Sequence, residues 1–255
     1  MTDVTPIGFG GELAGRVALV TGASANIGRA IALALADAGA AVVAHARSAE
    51  AEAAETARLI RVAGGRATFA LGDLARPETA GDLVRAAVGA FGRLDIVVHN
   101  AALRGAARLA DLEPADWRQV MAVDLDAAFW LARAAAPLLA SSDGAAIVVI
   151  GGMSGHAGAA GRAHVVAAKA GLSGLARALA HDLAAQGTTV NCVVPGVIET
   201  RRGPSAGVAP TQAMPLVGRP GRPNEVAAMV RVLAGPAGRY VTGQTLHVNG
   251  GAYLG

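Results

Sequence analysis

Lys169 is the side chain whose type most clearly suggests chemistry, because it is the only lysine in the chain. Positive charge elsewhere in the sequence is carried by arginine. A guanidinium stays protonated, whereas an ammonium is a compact donor whose charge responds to burial and to neighbouring groups. The segment 150–172 around Lys169 also contains Ser154, His156 and His164. We therefore predict that this segment contributes proton-carrying groups to an active site.

A glycine-containing turn forms a second candidate site. Gly22 and Gly28 lie between a predicted strand, 16–21, and a helical run. In that position, backbone N–H groups and the positive end of the helix dipole can bind a pyrophosphate. Gly22 permits the tight turn, Gly28 permits close packing of helix on strand, and Asn26 tolerates a left-handed backbone. The cofactor-binding residues predicted here are Gly22, Ser24, Asn26, Ile27 and Gly28.

The end of the second predicted strand indicates which dinucleotide the turn accepts. An acidic residue at this point would bind the ribose 2′-hydroxyl of NAD and repel the 2′-phosphate of NADP. The segment 44–48 contains no acid and ends in Arg47 and Ser48, which can bind a phosphate through charge-assisted hydrogen bonds. We predict NADP(H) as the cofactor. The alternative is that Arg47 is an ordinary surface residue.

Two further groups of residues are predicted to line the same crevice. Asp73 and Leu74 follow the third predicted strand, where the Asp73 carboxylate can meet an adenine amino group. Asn100, Ala101 and Ala102 follow the fourth strand and offer an amide and small side chains beside the cofactor. Each group alone is an ordinary turn, but the carboxyl ends of parallel strands meet at one edge of a sheet.

The elements that must position these residues alternate between strands and helices, which indicates βαβ units and a parallel sheet. The strands are continuous apolar runs, typical of a sheet covered on both faces. They span 16–21, 41–46, 67–71, 94–99, 145–150, 188–194 and 244–248. We predict one α/β domain over 1–255 with a doubly wound parallel sheet and helices on both faces. The Gly- and Pro-rich segment 196–222 is predicted to be a substrate lid, with an inert linker as the alternative.

Composition excludes several classes of protein. The chain is 53% hydrophobic and 16% charged, so it can build a large core and disorder is not expected. The single cysteine, Cys192, excludes an intrachain disulfide and a cysteine-based zinc site, and we predict no metal site. A net charge of +3 from scattered arginines argues against a nucleic-acid partner. The sequence has no visible signal peptide or membrane span, so we expect a cytoplasmic protein.

Six motifs together resemble the short-chain dehydrogenase/reductase family. They are TGASANIG (21–28), GDL (72–74), HNAA (99–102), VVAAKAGL (165–172), VNCVVPGVIET (190–200) and VTGQTLHVNGG (241–251). The overall pattern is most similar to the 3-oxoacyl-[acyl-carrier-protein] reductases. The resemblance implies a Rossmann fold, a nicotinamide cofactor, a small-molecule substrate and a homotetramer or homodimer. It also implies that Lys169 binds the nicotinamide ribose and that Ile198 and Thr200 lie near the carboxamide, with Pro195 and Gly196 beside the cofactor.

The sequence departs from this family at its catalytic positions. The family combines a Ser, a Tyr, a Lys one helical turn after the Tyr, and an upstream Asn, and only the Lys is matched. Val165 stands at the Tyr position, Gly152 at the Ser position and Asp124 at the Asn position. The family's Tyr donates the proton that a ketone oxygen receives during reduction, and such positioned acid catalysis is worth roughly 10²–10⁴-fold. Carbonyl reduction by this chain must therefore use another proton donor.

Candidates for an altered catalytic set are Lys169, Asp124, Ser154 and His164. Ser154 faces the same side as Gly152 if the fifth strand continues to it; otherwise it structures the loop. His164 lies about 140° around a helix from Lys169, which makes it a poor direct substitute for the Tyr.

Asp124 either pairs with Lys169 or caps a turn between two helices, 113–124 and 125–140. Two other residues are weaker alternatives as proton donors. His156 lies in the loop before the Lys169 helix, and the family resemblance implies that Tyr253, near the C-terminus, can reach the crevice of a neighbouring subunit.

Three functions fit these residues. The first is an NADPH-dependent oxidoreductase that transfers hydride to a C=N group (imine or iminium) or a C=O group without the usual Tyr acid. The second is an NADP-binding pseudoenzyme that acts as a sensor or oligomer partner. The third is a non-redox lyase or isomerase with Asp124 or a histidine as base. The intact cofactor motifs favour the first two, and the retained Lys169 favours catalysis.

Overall fold

A single parallel sheet organises the protein. The computed structural model describes residues 10–200 and 215–255. The strands are β1 (Val17–Val20), β2 (Ala41–Ala46), β3 (Ala67–Leu71), β4 (Ile96–His99), β5 (Ala146–Ile150), β6 (Thr189–Pro195) and β7 (Thr245–Val248). Within the described residues these seven strands follow the order β3-β2-β1-β4-β5-β6-β7 and all pair in parallel. The order reverses between β1 and β4, which confirms the predicted doubly wound, Rossmann-type α/β fold.

Helices cover both faces of the sheet, as predicted. They are α1 (Asn26–Asp37), α2 (Glu50–Val62), α3 (Glu78–Phe91), α4 (Pro114–Met121), α5 (Ala127–Leu139), α6 (Ser154–Ala157), α7 (Ala163–Leu183) and α8 (Pro223–Ala234). Helices α1, α2 and α8 pack on one face, and α3, α5 and α7 pack on the other. Across residues 10–200 and 215–255, none of the helices is long and apolar enough to cross a membrane.

Alternating residues of each strand supply two apolar cores. In β1, Val17 and Leu19 face the core beneath α3, α5 and α7, whereas Ala18 and Val20 face the core beneath α1 and α8. Successive side chains of a strand point to opposite faces, so a strand buried on both faces must be apolar throughout. Burial of each Val or Leu side chain contributes about 1.5–3 kcal/mol. The sheet is therefore fixed from both sides, and its carboxyl edge is a rigid platform for loops.

The region 113–140 differs from the prediction of two separate helices. Helix α4 continues through a π-helical turn, Ala122–Asp126, into α5 without a break. The turn contains no glycine or proline that would end a helix. A π-helical turn adds a residue and redirects the backbone inside a continuous helix. Asp124 is therefore a residue of this turn, and the alternative that it caps a loop between two helices is wrong.

The end of β5 also differs from one expectation. The strand ends at Ile150, and the chain turns into α6, which begins at Ser154. Gly151 lies so close to β6 that an added Cβ would be 2.9 Å from the sulfur of Cys192. The Gly151 N–H still donates to the Val193 carbonyl of β6 at 2.8 Å, but the chain is helical from Ser154, so the premise that the strand continues to Ser154 is wrong.

The predicted lid, 196–222, is described only at its two ends. Residues 201–214 lie outside the described residues. Ile198 and Gly221 form a parallel bridge, and the Glu199 N–H donates to the Gly221 carbonyl at 2.8 Å. The described ends of the segment are thus joined, and its role as a lid stays a prediction.

Histidines on three strands make the stability of the fold depend on pH. Burial lowers the pKa of His45 and of His247 below 6.5, and burial with the nearby Lys169 charge lowers the pKa of His99 to about 3. The unfolded chain binds these protons near the ordinary histidine pKa, whereas the folded chain does not. The stabilisation is therefore complete above the ordinary value and is lost as the pH falls towards the folded values.

We expect the free energy of unfolding to decrease on acidification below about pH 6.5, with His99 contributing up to about 1.4 kcal/mol per pH unit. Urea denaturation followed by circular dichroism across this range measures the slope. His99→Gln is expected to flatten the slope, because glutamine does not titrate. His181→Gln changes an exposed residue of α7 and should leave the slope unaltered. Equal slopes in all three proteins would contradict the assignment.

Candidate active site

The turn after β1 has the geometry that an anion site requires. Gly22 has φ of 64° and Asn26 has φ of 51°, so both adopt the left-handed conformation that the sequence indicated. A Cβ on Gly28 would lie 2.1 Å from the Gly22 carbonyl oxygen, which confirms the predicted close approach. The N-cap residue of α1 is Ala25, and no side chain caps this helix. An uncapped helix N-terminus above a tight turn suits a phosphate group.

Hydrogen bonds tie this turn to the end of β4. The Asn100 amide donates to the Thr21 carbonyl at 3.0 Å and to the Gly22 carbonyl at 3.1 Å. The Thr21 hydroxyl oxygen accepts the N–H groups of Asn100 at 3.0 Å and Ala101 at 3.1 Å. The amide predicted to lie beside the cofactor is thus used to hold the turn, while Ala102 next to it is exposed.

His45 is a contributor to this site that the sequence reasoning missed. The Gly22 N–H donates to its Nδ1 at 3.4 Å, and its Nε2 lies 2.9 Å from the Gly72 carbonyl oxygen. With Nδ1 accepting, Nε2 carries the proton and donates to Gly72. The only signal in the sequence was a histidine inside the apolar strand AVVAHA.

The end of β2 presents the predicted phosphate ligands to solvent. Arg47 and Ser48 follow Ala46 directly and are exposed. Neither side chain makes a hydrogen bond or ion pair within residues 10–200 and 215–255. The end of β3 lies next along the edge of the sheet. One carboxylate oxygen of Asp73 accepts the Ala75 N–H at 3.0 Å, which leaves the other oxygen for a ligand. Leu74 is buried.

Lys169 and Asp124 form a buried pair, so the predicted direct contact exists. The Lys169 ammonium lies 3.5 Å from Asp124 Oδ2 and donates to the Ile150 carbonyl at 3.1 Å. Asp124 Oδ1 accepts the Leu103 N–H at 2.6 Å, while Oδ2 has no hydrogen-bond partner in the described chain. Burial raises the pKa of the Asp124 carboxyl above its ordinary value, and the Lys169 charge opposes that rise. A buried carboxylate oxygen beside an ammonium is an open acceptor for a bound ligand.

Apolar side chains surround this pair on the side where the family has its Tyr. Val165 is buried and packs with Val120 and Ala168. Gly152 faces Lys169, because an added Cβ would lie 3.5 Å from Lys169 Cγ. That Cβ would also lie 3.9 Å from Ser154 Oγ, so Ser154 is beside the site although it does not continue the strand.

The remaining proton-donor candidates lie in two other places. His164 is buried in the first turn of α7, and a Cβ on Gly105 would lie 2.8 Å from its Nε2. His156 and Tyr253 pack against His247 in the same chain, with ring centroids 4.8 Å and 5.2 Å from it. In the described residues, no group of three His, Cys, Asp or Glu residues is arranged to hold a metal ion.

The predicted nicotinamide residues follow β6. Pro195 ends the strand, and its carbonyl accepts the Met153 N–H at 3.1 Å, which places this edge beside the start of α6. A Cβ on Gly196 would lie 2.7 Å from Asn249 Cα. Ile198 packs against the core beneath α1 and α8, and Thr200 is the last described residue before 201–214.

Comparisons with known proteins agree with this geometry. A family model described as Enoyl-(Acyl carrier protein) reductase matches residues 22–253. The chain is 37% identical over 246 residues to the 3-oxoacyl-[acyl-carrier-protein] reductase of Vibrio cholerae, covering 95% of this chain and 99% of that protein. The chain belongs to the short-chain dehydrogenase/reductase family. The Escherichia coli 3-oxoacyl-[acyl-carrier-protein] reductase is also 37% identical, covering 94% of this chain and 98% of the relative.

Solved structures of the family match the fold closely. A dehydrogenase/reductase from Sinorhizobium meliloti has a TM-score of 0.90 at 37% identity and covers 96% of this chain and 98% of its own. A short-chain dehydrogenase from Burkholderia cenocepacia in complex with NADP has a TM-score of 0.88 at 35% identity, and the match covers 94% of this chain and 99% of that one. A blue fluorescent protein from a metagenomic library in complex with NADPH has a TM-score of 0.86 at 34% identity, and the match covers 95% of this chain and 100% of that one.

The close approach at Gly28 gives a direct test of the phosphate turn. Gly28→Ala is expected to weaken NADPH binding at least about 10-fold, because a Cβ cannot fit against the turn and the turn must open. Titration of NADPH fluorescence measures the dissociation constant. Gly89→Ala in α3 is the matched control, since an added Cβ there meets no atom within 4 Å. Equal affinities in both variants would contradict a cofactor site at this turn.

Proposed function

We propose that this protein is an NADPH-dependent oxidoreductase that reduces an electrophilic C=N group, imine or iminium, or a C=O group of a small molecule. The observation that carries the proposal is the buried Lys169–Asp124 pair at the carboxyl edge of the sheet, beside an apolar wall formed by Val165. The pair supplies a charged donor at the place where family members bind the cofactor and substrate. The wall supplies no acid.

The cofactor residues fit NADP(H). The Gly22–Gly28 turn and the uncapped N-terminus of α1 suit the pyrophosphate, and exposed Arg47 suits a 2′-phosphate. Family structures that are named as complexes with NADP or NADPH support the same choice. When bound, NADPH supplies the hydride.

The chain's own residues determine where a proton can come from. Reduction of a ketone leaves negative charge on oxygen, which must receive a proton as the C–H bond forms. Lys169 carries protons, and Ser154 offers a hydroxyl near it, but neither replaces an aligned phenol. A protonated imine needs no acid, because its positive nitrogen takes up the electron pair of the C=N bond and becomes an amine. The apolar surface of Val165 therefore favours substrates that arrive already electrophilic.

One observation favours a second candidate, an NADP-binding pseudoenzyme. Val165 is part of a closed apolar cluster with Val120 and Ala168, and Lys169 is already paired with Asp124. Such a site can bind the cofactor through Lys169 without protonating a substrate. Turnover of a substrate distinguishes the two candidates.

We also propose that the protein is a homo-oligomer, a tetramer or a dimer, in the cytoplasm. Trp117 on α4 and Phe129 on α5 are 39% and 40% exposed, and a partner subunit packed on them would remove this apolar surface from water.

Arg47 is expected to select the cofactor. Arg47→Asp should reduce the preference for NADPH over NADH at least about 10-fold, because it removes a cation and places a negative charge where a 2′-phosphate binds. The ratio of the two dissociation constants measures the preference. Arg177→Asp on the exposed face of α7 makes the same charge change elsewhere and should leave the ratio unaltered. An unchanged ratio in Arg47→Asp would show that another residue selects the cofactor.

The substrate class is tested with matched panels of cyclic imines and ketones while NADPH oxidation is followed. We expect the wild-type protein to turn over imines at least about 10²-fold faster than ketones. The double variant Gly152→Ser and Val165→Tyr should gain ketone reduction by about 10²-fold or more, because it supplies the missing hydroxyl and phenol.

Gly152→Ser combined with Val165→Phe is the control, since it adds the ring without the phenol oxygen and should gain nothing. Ketone turnover that already matches imine turnover in the wild type would refute the imine preference. NADPH binding without turnover of either panel would establish the pseudoenzyme.

A further inference from the structure

His99, the last residue of β4, lies between the phosphate turn and the Lys169–Asp124 pair. Its side chain is buried, with 1% exposed. Nδ1 lies 3.3 Å from the Thr21 hydroxyl oxygen, and Nε2 lies 3.3 Å from the Asp124 carbonyl oxygen. A single imidazole thus contacts both the strand that carries the phosphate turn and the π-helical turn that carries Asp124.

The hydrogen bonds of Thr21 determine which nitrogen of His99 carries the proton. The Thr21 oxygen accepts the N–H groups of Asn100 and Ala101, so both of its lone pairs are used. Its hydroxyl hydrogen is left to donate, and His99 Nδ1 at 3.3 Å is nearer than the Val98 carbonyl at 3.5 Å. Nδ1 therefore accepts, Nε2 carries the hydrogen, and Nε2–H donates to the Asp124 carbonyl.

The neutral form of His99 is enforced by its surroundings. A second proton would sit on Nδ1 and face the Thr21 donor. Burial and the nearby Lys169 charge lower the pKa of His99 to about 3, and His45 opposes protonation further. His99 is therefore a fixed neutral donor to Asp124 across the physiological range.

Two anchors hold Asp124. His99 binds its carbonyl, and the Leu103 N–H binds Oδ1 at 2.6 Å. Together they leave Oδ2 directed at the Lys169 ammonium, 3.5 Å away. A π-helical turn departs from the regular hydrogen-bond ladder of a helix. A side chain such as His99, which donates to a carbonyl of the turn, therefore fixes the shape of the turn.

We infer that His99 is a positioning residue that fixes the turn carrying Asp124 and thereby holds the Asp124 carboxyl beside the Lys169 ammonium. The consequence for turnover rests on the proposed role of Lys169 as a proton-carrying group. The positioning itself is a property of the folded chain and does not depend on the reaction.

The groups around Lys169 support this assignment. It contacts the Ile150 carbonyl from β5 and Asp124 from the π-helical turn, and its charge acts on His99 from β4 and on Cys192 from β6. Burial raises the pKa of the Cys192 thiol, so that group stays neutral. Arg104 adds positive charge near Asp124. Asp124 is thus the carboxyl among these groups, and its position relative to the ammonium sets the electrostatic surroundings of the lysine.

The single lysine makes the test specific. In protein labelled with ¹³C at lysine Cε, one lysine resonance is expected, and its chemical shift at a fixed pH reports the surroundings of Lys169 alone. Two variants separate the two contacts of His99. His99→Asn has an amide near the Nδ1 position and is too short for the Asp124 carbonyl, whereas His99→Gln reaches the Nε2 position and can donate to that carbonyl.

We expect His99→Asn to displace the Lys169 resonance from its wild-type position at a fixed pH, because the Asp124 carboxyl moves relative to the ammonium, and His99→Gln to restore most of the difference. Asp124→Asn should displace the resonance at least as far as His99→Asn. His181→Gln, on the surface of α7, should leave it unchanged. Equal chemical shifts in wild type, His99→Asn and His99→Gln would overturn the inference, as would equal displacements in both His99 variants.

A measurement on the wild-type protein keeps the inference testable if a variant does not fold. Long-range ¹H–¹⁵N spectra of histidine-labelled protein should show His99 as the neutral Nε2–H tautomer down to about pH 5. The other tautomer, or a titration near the ordinary histidine value, would overturn the inference.

All of these spectra are recorded without substrate or cofactor. A confirmed Lys169 shift with no turnover on either substrate panel would therefore reject only the proposed function. Where turnover exists, kcat should change together with the Lys169 chemical shift in His99→Asn and return in His99→Gln.

Discussion

The contact between the ends of β1 and β4 is the constraint on which the rest of the site depends. At this point the strand order reverses, and the loops after the two strands diverge to opposite faces of the sheet. Thr21 and Asn100 close the gap with side-chain hydrogen bonds to each other's backbone. The phosphate turn is therefore built on a fixed edge, and its glycines can adopt left-handed conformations without loosening the sheet.

The same edge explains how a charged pair is tolerated inside an apolar protein. Removing Lys169 and Asp124 from water is costly, and attraction offsets that cost only when remaining polar atoms are also satisfied. Here the Lys169 ammonium donates to the Ile150 carbonyl, and Asp124 Oδ1 accepts the Leu103 N–H. Asp124 Oδ2 has no hydrogen-bond partner among the described residues. The apolar wall around Val165 removes competing donors from this pair. Reactivity at the site is thus concentrated on one ammonium and one carboxylate.

The sheet could be predicted from the sequence, because strands buried on both faces must be apolar throughout. Such strands appear in the sequence as continuous apolar segments between polar or glycine-containing turns. The sequence also placed Gly22, Asn26 and Gly28 correctly, since a left-handed turn restricts the residue types that can form it. The π-helical turn was not predictable, because Ala122–Asp126 has the composition of an ordinary helix. The contacts of His99 were not predictable either, since its partners Thr21 and Asp124 lie far from it along the chain and only the fold brings them together.

The near-complete replacement of lysine by arginine has a practical consequence. Reagents that acylate primary amines, and supports that couple through them, find one side-chain amine in this protein, and it lies 8% exposed under the π-helical turn. Side-chain acylation of the folded protein is therefore expected only where this one buried ammonium becomes exposed to the reagent.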